Sequence, residues 1–325
     1  MLLPIIAITG GLVALVWSAG VFIDGAKAVA QRFGMSPLLI GMLVIGFGTS
    51  APEMVVSGLS AAQGNPGLAL GNAFGSNITN IALILGMTAL IRPLGVHSNV
   101  LRKELPILAA ATGFVALLML DRILGLYDAM ALLLVFIGLT IWSVYEGRKA
   151  QRDSFSASVD RALEEPSGPL SRSVAVLLLG LGCLVVSSQA LVWGAVQIAE
   201  GLGVSDVIIG LTVVAIGTSL PELASSIIAA RKGDHEIAFG NVIGSNLFNT
   251  LAVTGIAGSI HAISVDSIIL VRDLPVMGFL TLALFVFGFG FRGVGRINRY
   301  EGAFLLLCFI TYTGVLVESA LDGTI

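Results

Sequence analysis

The sequence predicts an all-α membrane protein with ten transmembrane helices arranged as two inverted repeats of five. Three observations support this prediction. Of the 325 residues, 56% are hydrophobic and only 11% are charged, and the mean hydropathy of +0.98 lies far above the range of soluble proteins. Apolar stretches long enough to cross a hydrocarbon core of about 30 Å recur along the whole chain. A segment of 54 residues also occurs twice.

Each predicted span is an apolar stretch of about 20 residues, the length needed to cross a bilayer. The ten stretches lie at 3–23, 38–62, 67–91, 105–121, 125–146, 173–198, 206–230, 236–260, 273–291 and 301–320. The first stretch has neither a basic leader nor a small-residue cleavage site, so we interpret it as a retained span. Little sequence remains for a soluble domain.

The positive charges predict the orientation of these spans. If the N-terminus faces outward, the connections after spans 1, 3, 5, 7 and 9 hold 15 of the 17 Lys and Arg residues. The positive-inside rule then places both termini in the periplasm and the longest connection, 147–172, in the cytoplasm. This connection is polar and mixed in charge, which favours a flexible linker over a regulatory segment.

The repeat divides the chain into two halves. Residues 38–91 align without gaps with residues 207–260, and 20 of the 54 aligned pairs are identical at a constant offset of 169. The most similar parts are the motif segments 40–80 and 209–249. The first repeat is therefore 1–146 and the second 173–325. Because five spans per half is an odd number, the second half starts on the opposite side of the membrane, as in many secondary transporters.

A glycine- and proline-containing motif, GFGTSAPE, lies in the middle of the second span. Pro52 removes a backbone donor, and Gly46 and Gly48 permit non-helical dihedral angles, so a helix break is expected here. Carbonyl groups freed by a break require a protein-lined cavity, where they and the hydroxyls of Thr49 and Ser50 can bind cations. The second repeat has the equivalent residues Gly217, Thr218, Ser219 and Pro221.

The same motif contributes the acidic groups. Glu53 and Glu222 are the two carboxylates that lie well inside predicted spans. An ionised carboxylate at the bilayer centre costs about 2.5–3.5 kcal/mol on insertion scales, so it requires a partner. Because no Lys or Arg lies deep enough in the sequence pattern, the expected partner is a proton or a mobile cation.

A second motif adds amide and hydroxyl groups. In the first repeat GNAFGSNITN places polar side chains at four-residue steps, close to one helical face. These residues are Asn72, Ser76 and Asn80, repeated as Asn241, Ser245 and Asn249. With the carboxylates they form an all-oxygen donor set, which suits a hard cation, Ca²⁺ in particular, and disfavours zinc.

Two carboxylates make an empty site doubly negative. Moving that charge unaccompanied across a low-dielectric barrier should be strongly resisted. One Ca²⁺, two Na⁺ or two protons would neutralise the site. The charge count therefore predicts obligatory exchange rather than a channel.

These motifs resemble those of the cation/Ca²⁺ exchanger superfamily, in particular its bacterial inner-membrane branch related to sodium/calcium exchangers. The resemblance covers the whole chain and implies an alternating-access antiporter with broken helices 2, 3, 7 and 8 around a central site. It also implies that spans 1 and 6 slide across the rest. The implied Ca²⁺ ligands are Glu53, Glu222 and the carbonyls of Thr49 and Thr218. The implied Na⁺ ligands are Ser50, Ser76, Ser219, Ser245, the carbonyl of Ala215, and Asn80 or Asn249.

One position departs from the pattern of some relatives. They carry Asp where this chain has Asn249, including members that depend on K⁺, so the site charge here is −2 and the case for K⁺ is weaker. Na⁺/Ca²⁺ antiport across the bacterial inner membrane is the favoured function, and H⁺/Ca²⁺ antiport by the same glutamates is the alternative. An intramembrane enzyme or a non-transporting scaffold is the alternative of a different class. No enzyme activity, cofactor, nucleic acid or obligatory protein partner is predicted, and the partners are Ca²⁺, Na⁺ and lipid.

Overall fold

The computed structural model describes residues 2–33, 35–96, 100–155, 169–203, 212–213, 215–289 and 295–322, and nearly all of them are helical. The helices of the first half are α1 (Leu2–Arg32), α2 (Pro37–Thr49), α3 (Ala51–Ala62), α4 (Pro66–Ile91), α5 (Leu105–Leu118) and α6 (Leu126–Phe155). Those of the second half are α7 (Leu170–Gly201), α8 (Ala215–Thr218), α9 (Leu220–Lys232), α10 (235–260), α11 (Ile269–Gly288) and α12 (Arg299–Leu321).

The structure supports a multi-pass membrane protein. Among the described residues, six helices are long and apolar enough to cross a bilayer: α1, α4, the 126–146 part of α6, α7, α11 and α12. The bent pair of α2 and α3 adds a seventh. Part of the predicted span 206–230 lies outside the described residues, and the count of ten spans stays a prediction.

The break expected in the second span occurs at Ser50. This residue has φ −85° and ψ 3°, outside the helical region, and the axes of α2 and α3 differ by 44°. Pro52 occupies the first turn of α3, where its missing N–H would be unbonded in any case. In the second half Ser219 has nearly the same dihedral angles, φ −90° and ψ 5°, and separates α8 from α9.

The centre of the molecule is formed by α4 and α10. In the apolar part of α4, 72% of the residues are buried, against 11% for α6 and 17% for α12, so the latter two helices are peripheral. Each central helix contains a π-helical turn, at Asn80–Leu85 in α4 and Phe248–Val253 in α10. Such turns are rare and frequent at functional sites.

The helix α2 packs backbone to backbone against α10, and glycines make this approach possible. A Cβ at Gly41 would collide with the carbonyl of Ile237, and a Cβ at Gly244 would collide with the carbonyl of Met42. Only glycine permits so close a contact between two helices. The first half is thereby fixed to the second beside the motif residues.

The helices α1 and α7 pack along each other at the periphery. Gly180 of α7 lies against the backbone of Phe22, and Gly25 of α1 lies against the backbone of Leu177. Fewer than a third of the residues in their apolar parts are buried, 28% in α1 and 22% in α7. The resemblance assigned the sliding motion to these two helices, and their peripheral position leaves room for it.

Short antiparallel strand pairs join the two halves outside the helices. The strand β1 (Leu94–Gly95) pairs with β4 (Arg296–Ile297), and β2 (Ile123–Leu124) pairs with β3 (Ile263–Ser264). β1 and β3 are equivalent under the offset of 169, and each pairs with a strand from the other half. Their partners β2 and β4 are 173 residues apart, so the two pairs resemble each other with a shift of four residues.

The structure differs from the predicted linker at both ends. The helix α6 continues to Phe155, through the first nine residues of the segment 147–172, and α7 begins at Leu170. The physical reason is composition, because Arg, Lys, Gln and Ala between 147 and 152 are strong helix formers. Residues 156–168 lie outside the described part of the chain.

Candidate cation site

The two motif glutamates occupy equivalent positions, in the first turn after each helix break. Glu53 lies in α3 and Glu222 in α9, and each is only 1% exposed. The partial positive charge at a helix N-terminus favours a carboxylate at this place. The breaks predicted from sequence therefore place an acidic group in the interior twice.

The two halves meet at these glutamates. The hydroxyl of Ser50, at the break in the first half, donates to Glu222 Oε1 in the second half at 3.4 Å. The carboxyl groups of Glu53 and Glu222 also lie within electrostatic range of each other. Two like charges enclosed in one protein interior repel each other unless a cation lies between them.

An asparagine from α4 supports the first glutamate. Asn72 Nδ2 donates to Ser57 Oγ at 2.9 Å and to the backbone carbonyl of Glu53 at 3.3 Å. Glu53 and Ser57, one turn apart in α3, therefore both face the amide-rich helix α4.

The second half repeats the arrangement with one addition. Asn241 Nδ2 donates to Ser226 Oγ at 2.9 Å and to the carbonyl of Glu222 at 3.2 Å. Its Oδ1 accepts a bond from the hydroxyl of Thr49 at 3.3 Å. Asn241 therefore links both repeats, and its own amide oxygen is occupied.

Several buried polar atoms of the predicted site have no hydrogen-bond partner. They are Glu53 Oε2, Asn80 Oδ1, Ser219 Oγ, Glu222 Oε2, Ser245 Oγ, and both Oδ1 and Nδ2 of Asn249. An unsatisfied buried polar group costs about 1–3 kcal/mol and more when it is charged, so a set of them requires an explanation. Six of these atoms are oxygens, the donor type that Na⁺ and Ca²⁺ prefer.

The charge of the glutamates is not balanced by basic side chains. The ion pairs that the structure describes, Lys27 with Asp234 among them, involve neither Glu53 nor Glu222. No group of three or more His, Cys, Asp or Glu side chains converges in the described part of the chain. A bound cation would therefore need hydroxyl, amide and carbonyl oxygens beside the two carboxylates.

A cavity of about 70 Å³ gives access to one side of the predicted site. Ser76 and Thr218, both predicted ligands, line it together with Asn72. We call it the outer cavity, and its complete lining among the described residues is Gly71, Asn72, Gly75, Ser76, Thr79, Ile216, Thr218, Phe309, Tyr312, Thr313 and Leu316. Ala215 begins α8, one residue before this lining. The carbonyl roles of Thr49, Thr218 and Ala215 stay predictions.

The outer cavity is bordered by an ionic cluster that sequence reasoning did not assign to the site. The hydroxyl of Tyr312 donates to Asp273 Oδ1 at 3.0 Å, and Arg272 Nε donates to the same oxygen at 2.7 Å. Asp273 is 5% exposed. The sequence signal for this cluster was the repetition of Lys-Glu-Leu-Pro as Arg-Asp-Leu-Pro at the offset of 169. Nothing in the sequence around this motif indicates a contact with Tyr312.

Sequence reasoning also missed a row of asparagine contacts between the halves. Asn80 Nδ2 donates to Asn246 Oδ1 at 3.0 Å, and Asn77 Nδ2 donates to Thr250 Oγ1 at 2.8 Å. Asn77 and Asn246 are equivalent under the offset of 169 and are at most 1% exposed. Their repetition directly after Ser76 and Ser245 was the sequence signal that could have indicated their place beside the site.

Comparison with known proteins gives consistent results. The family model described as sodium/calcium exchanger protein matches residues 3–145 and 172–317. The chain is 43% identical over 319 residues to CaxA of Alkalimonas amylolytica, which is named as an antiporter, covering 98% of this chain and 100% of that protein. It is 38% identical over 279 residues to the inner membrane protein YrbG of Escherichia coli strain K12, covering 85% and 86%.

Solved structures give the same result for the fold. The sodium-calcium exchanger NCX_Mj, from a crystal soaked with zero Na⁺ and Ca²⁺, matches with a TM-score of 0.82 and 30% sequence identity. The match covers 97% of this chain and 99% of that one. At this coverage and identity the likeness concerns the whole helical arrangement.

Proposed function

The chain belongs to the sodium/calcium exchanger family, and on this premise we propose that it exchanges Ca²⁺ for Na⁺ across a bacterial inner membrane by alternating access. The single observation that carries the proposal is the pair of buried glutamates, Glu53 and Glu222, one from each repeat, each with an unpartnered carboxylate oxygen. Transported cations are the counter-charge that the described side chains do not supply.

The charge of the site determines which ions can neutralise it and why their flows are coupled. With both glutamates ionised the empty site carries −2, and one Ca²⁺ or two Na⁺ return it to zero. A neutral site crosses the low-dielectric barrier far more readily than a doubly charged one. Only loaded forms then change their access from one side to the other, which couples the two ion flows.

The inverted repeat architecture is part of the proposal. Ten spans in two groups, 1–146 and 173–325, would place equivalent contacts about a pseudo-two-fold axis in the membrane plane. The duplicated contacts of Asn72 and Asn241 with a serine and a glutamate carbonyl support this arrangement. So do the two similar strand pairs.

We assign roles to the predicted ligands on the same basis. Glu53 and Glu222 would hold Ca²⁺ with the carbonyls of Thr49 and Thr218. The Na⁺ ligands would be Ser50, Ser76, Ser219, Ser245, the carbonyl of Ala215, and Asn80 or Asn249. The unpartnered side-chain atoms of Ser219, Ser245 and Asn249 support these assignments.

The orientation follows from charge. Lys and Arg concentrate in the connections that the ten-span topology places on one side, so both termini would be periplasmic and residues 147–172 cytoplasmic. The outer cavity is lined by residues 71–79 of α4 and 309–316 of α12, toward the ends of these helices that the proposed topology places on the side of the termini.

Flux in proteoliposomes tests the proposed function. We expect an imposed Na⁺ gradient at fixed pH to drive Ca²⁺ movement, and a pH gradient without Na⁺ to drive none. A parallel set with Glu53→Gln protein supplies the background. Ca²⁺ movement driven by the pH gradient alone would instead establish H⁺/Ca²⁺ antiport by the same glutamates. Undiminished Ca²⁺ uptake without any counter-cation would contradict exchange altogether.

A further inference from the structure

The two repeats contain equivalent cavities of unequal size. The outer cavity of about 70 Å³ lies between α4, α8 and α12. A second cavity of about 20 Å³, here called the inner cavity, lies between α2, α6 and α10. Its lining residues are Met42, Leu43, Phe136, Leu139, Thr140, Ser143, Gly244, Leu247, Phe248 and Leu251. Under the offset of 169, Gly244 corresponds to Gly75 and Phe248 to Thr79.

The two cavities differ in their access to the predicted ligands. The outer cavity contacts Asn72, Ser76 and Thr218 directly. Their counterparts in the other repeat, Asn241, Ser245 and Thr49, are absent from the described lining of the inner cavity and are 0% exposed. The outer cavity therefore reaches predicted ligands, whereas the described lining of the inner cavity does not include their counterparts.

An aromatic cluster lies beside the inner cavity, and two of its rings, Phe136 and Phe248, line that cavity. The ring of Phe248 packs against Phe136, with ring centroids 4.8 Å apart, and against Phe47, with centroids 5.5 Å apart. Phe248 is 5% exposed and is the first residue of the π-helical turn in α10. Its counterpart Thr79 has a much smaller, polar side chain that lines the open outer cavity.

We propose that Phe248, held between Phe47 and Phe136, is the barrier that closes the inner route to the cation site. The proposal rests on the proposed function, because it supposes that the site is reached alternately from two sides. Phe248 is equivalent to Thr79, which lines the outer cavity, so in this proposal its side chain occupies the position that controls access to the site.

The chemistry of the inner cavity supports a barrier to cations. A volume of about 20 Å³ is enough for roughly one water molecule, and a buried water needs two to four polar partners. Most of the lining residues are apolar, and the hydroxyl of Thr140, one of the two hydroxyl residues among them, already donates to the carbonyl of Phe136 at 2.8 Å. A constriction of this kind excludes water, and a cation cannot pass without its hydration shell or protein oxygens in its place.

Opening the inner route then requires displacement of the Phe248 ring. Shortening this side chain should stabilise the conformation in which the inner side is accessible, because the barrier is reduced there and the outer side is unchanged. Enlarging Thr79 should have the opposite effect, because a phenyl ring would fill the outer cavity. The two repeats thus offer reciprocal substitutions, Phe248→Thr and Thr79→Phe.

Sided transport assays test the proposal. Right-side-out and everted membrane vesicles give the half-saturating Ca²⁺ concentration at each face under the same Na⁺ gradient. We expect Phe248→Thr to lower the value at the inner face by about threefold or more, since access and apparent affinity follow the population of the competent state. Thr79→Phe should raise the value at the outer face by about as much. The matched control is Phe279→Thr, which replaces an exposed phenylalanine of α11. It should leave the ratio of the half-saturating Ca²⁺ concentrations at the inner and outer faces unchanged.

The outcomes separate this proposal from the proposed function. If the wild-type chain exchanges Ca²⁺ and both reciprocal variants keep its ratio of inner to outer values, the barrier is not at Phe248. If Phe248→Thr does not give monodisperse protein, the Thr79→Phe result decides alone, and an unchanged outer value overturns the proposal. A wild-type chain that exchanges no Ca²⁺ contradicts the proposed function itself, and the barrier with it.

Discussion

The two copies of the GTS-x-PE motif have the same residues but different surroundings. In the first copy Thr49 is completely buried and bonded to Asn241 of the other half. In the second copy Thr218 is half-buried beside the outer cavity. The same sequence therefore supplies the same candidate ligands twice, and only the copy in the second repeat borders the outer cavity through its threonine. Alternating access would consist of exchanging these two environments.

The largest effect on Ca²⁺ exchange is expected from the glutamates that are identical in the two motif copies. Glu53→Gln and Glu222→Gln should each reduce Ca²⁺ exchange more than about 100-fold, because loss of one partner of a buried ionic contact costs about 3–5 kcal/mol. Exchange flux measures this effect. The same variants should lose the rise in melting temperature that Ca²⁺ gives the wild-type protein.

The exposed Glu200 at the end of α7 supplies a control for the glutamate variants. Glu200→Gln removes one negative charge outside the site and should retain exchange and Ca²⁺-dependent stabilisation. Wild-type exchange in either site variant would mean that the two carboxylates are not the cation ligands.

A glycine pair tests the difference in packing. A Cβ at Gly244 would collide with the backbone of Met42, whereas a Cβ at Gly75 would meet nothing within 4 Å. Gly244→Ala should therefore destabilise the protein by about 3 kcal/mol, the upper part of the usual range for overpacking. Gly75→Ala should change stability little. Thermal unfolding in detergent gives both values, and equal melting temperatures for the two variants would show that α2 does not approach α10 so closely.

An asparagine pair gives a smaller expected difference. Both residues donate to a serine and a glutamate carbonyl, but Asn241 also bonds Thr49 and is fully buried, whereas Asn72 is half-buried beside the outer cavity. Asn241→Ala should cost about 2 kcal/mol, because it removes three buried hydrogen bonds. Asn72→Ala should cost less, since water from the cavity can replace its bonds. A larger loss in Asn72→Ala by thermal unfolding would reverse the assignment of open and closed sides.

The smallest effect concerns ion pairs that exist in one repeat only. Lys232 pairs with Asp24 of α1 at 2.6 Å, and Asp234 pairs with Lys27. The residues equivalent to 232 and 234 are Gln63 and Asn65, which are uncharged. Lys232→Met should cost at most about 1 kcal/mol, because the pair is largely exposed and screened by salt.

The charge-neutral variant Gln63→Met serves as the control for this comparison. It changes the equivalent position without removing a charge, so the difference in melting temperature between this variant and the wild-type protein should be independent of salt. The difference between Lys232→Met and the wild-type protein should shrink as ionic strength rises. A difference that stays constant from low to high salt would mean that the Lys232 ammonium contributes nothing through its charge.

Local features of the fold were predictable from sequence because their causes are local. Glycine and proline determine the breaks at Ser50 and Ser219, and both occur where the motifs predict them. The division of charge along the chain predicted an orientation, which stays a prediction.

Contacts between the halves were not predictable in the same way. The bonds from Asn80 to Asn246 and from Tyr312 to Asp273 join residues that are distant in sequence, so spacing says nothing about them. The difference between the two cavities likewise depends on how distant helices pack, which residue spacing does not reveal. The extension of α6 to Phe155 was missed because a mixed-charge segment was interpreted as a linker although its residues favour helix.

Equilibrium binding of radiolabelled Ca²⁺ to the purified protein tests the central claim most directly. Two buried glutamates from opposite repeats should hold one Ca²⁺ per chain, and Na⁺ should displace it at fixed pH. The Glu53→Gln/Glu222→Gln double variant, purified as folded protein, should bind none. Ca²⁺ binding by that variant at the wild-type stoichiometry and affinity would contradict the account.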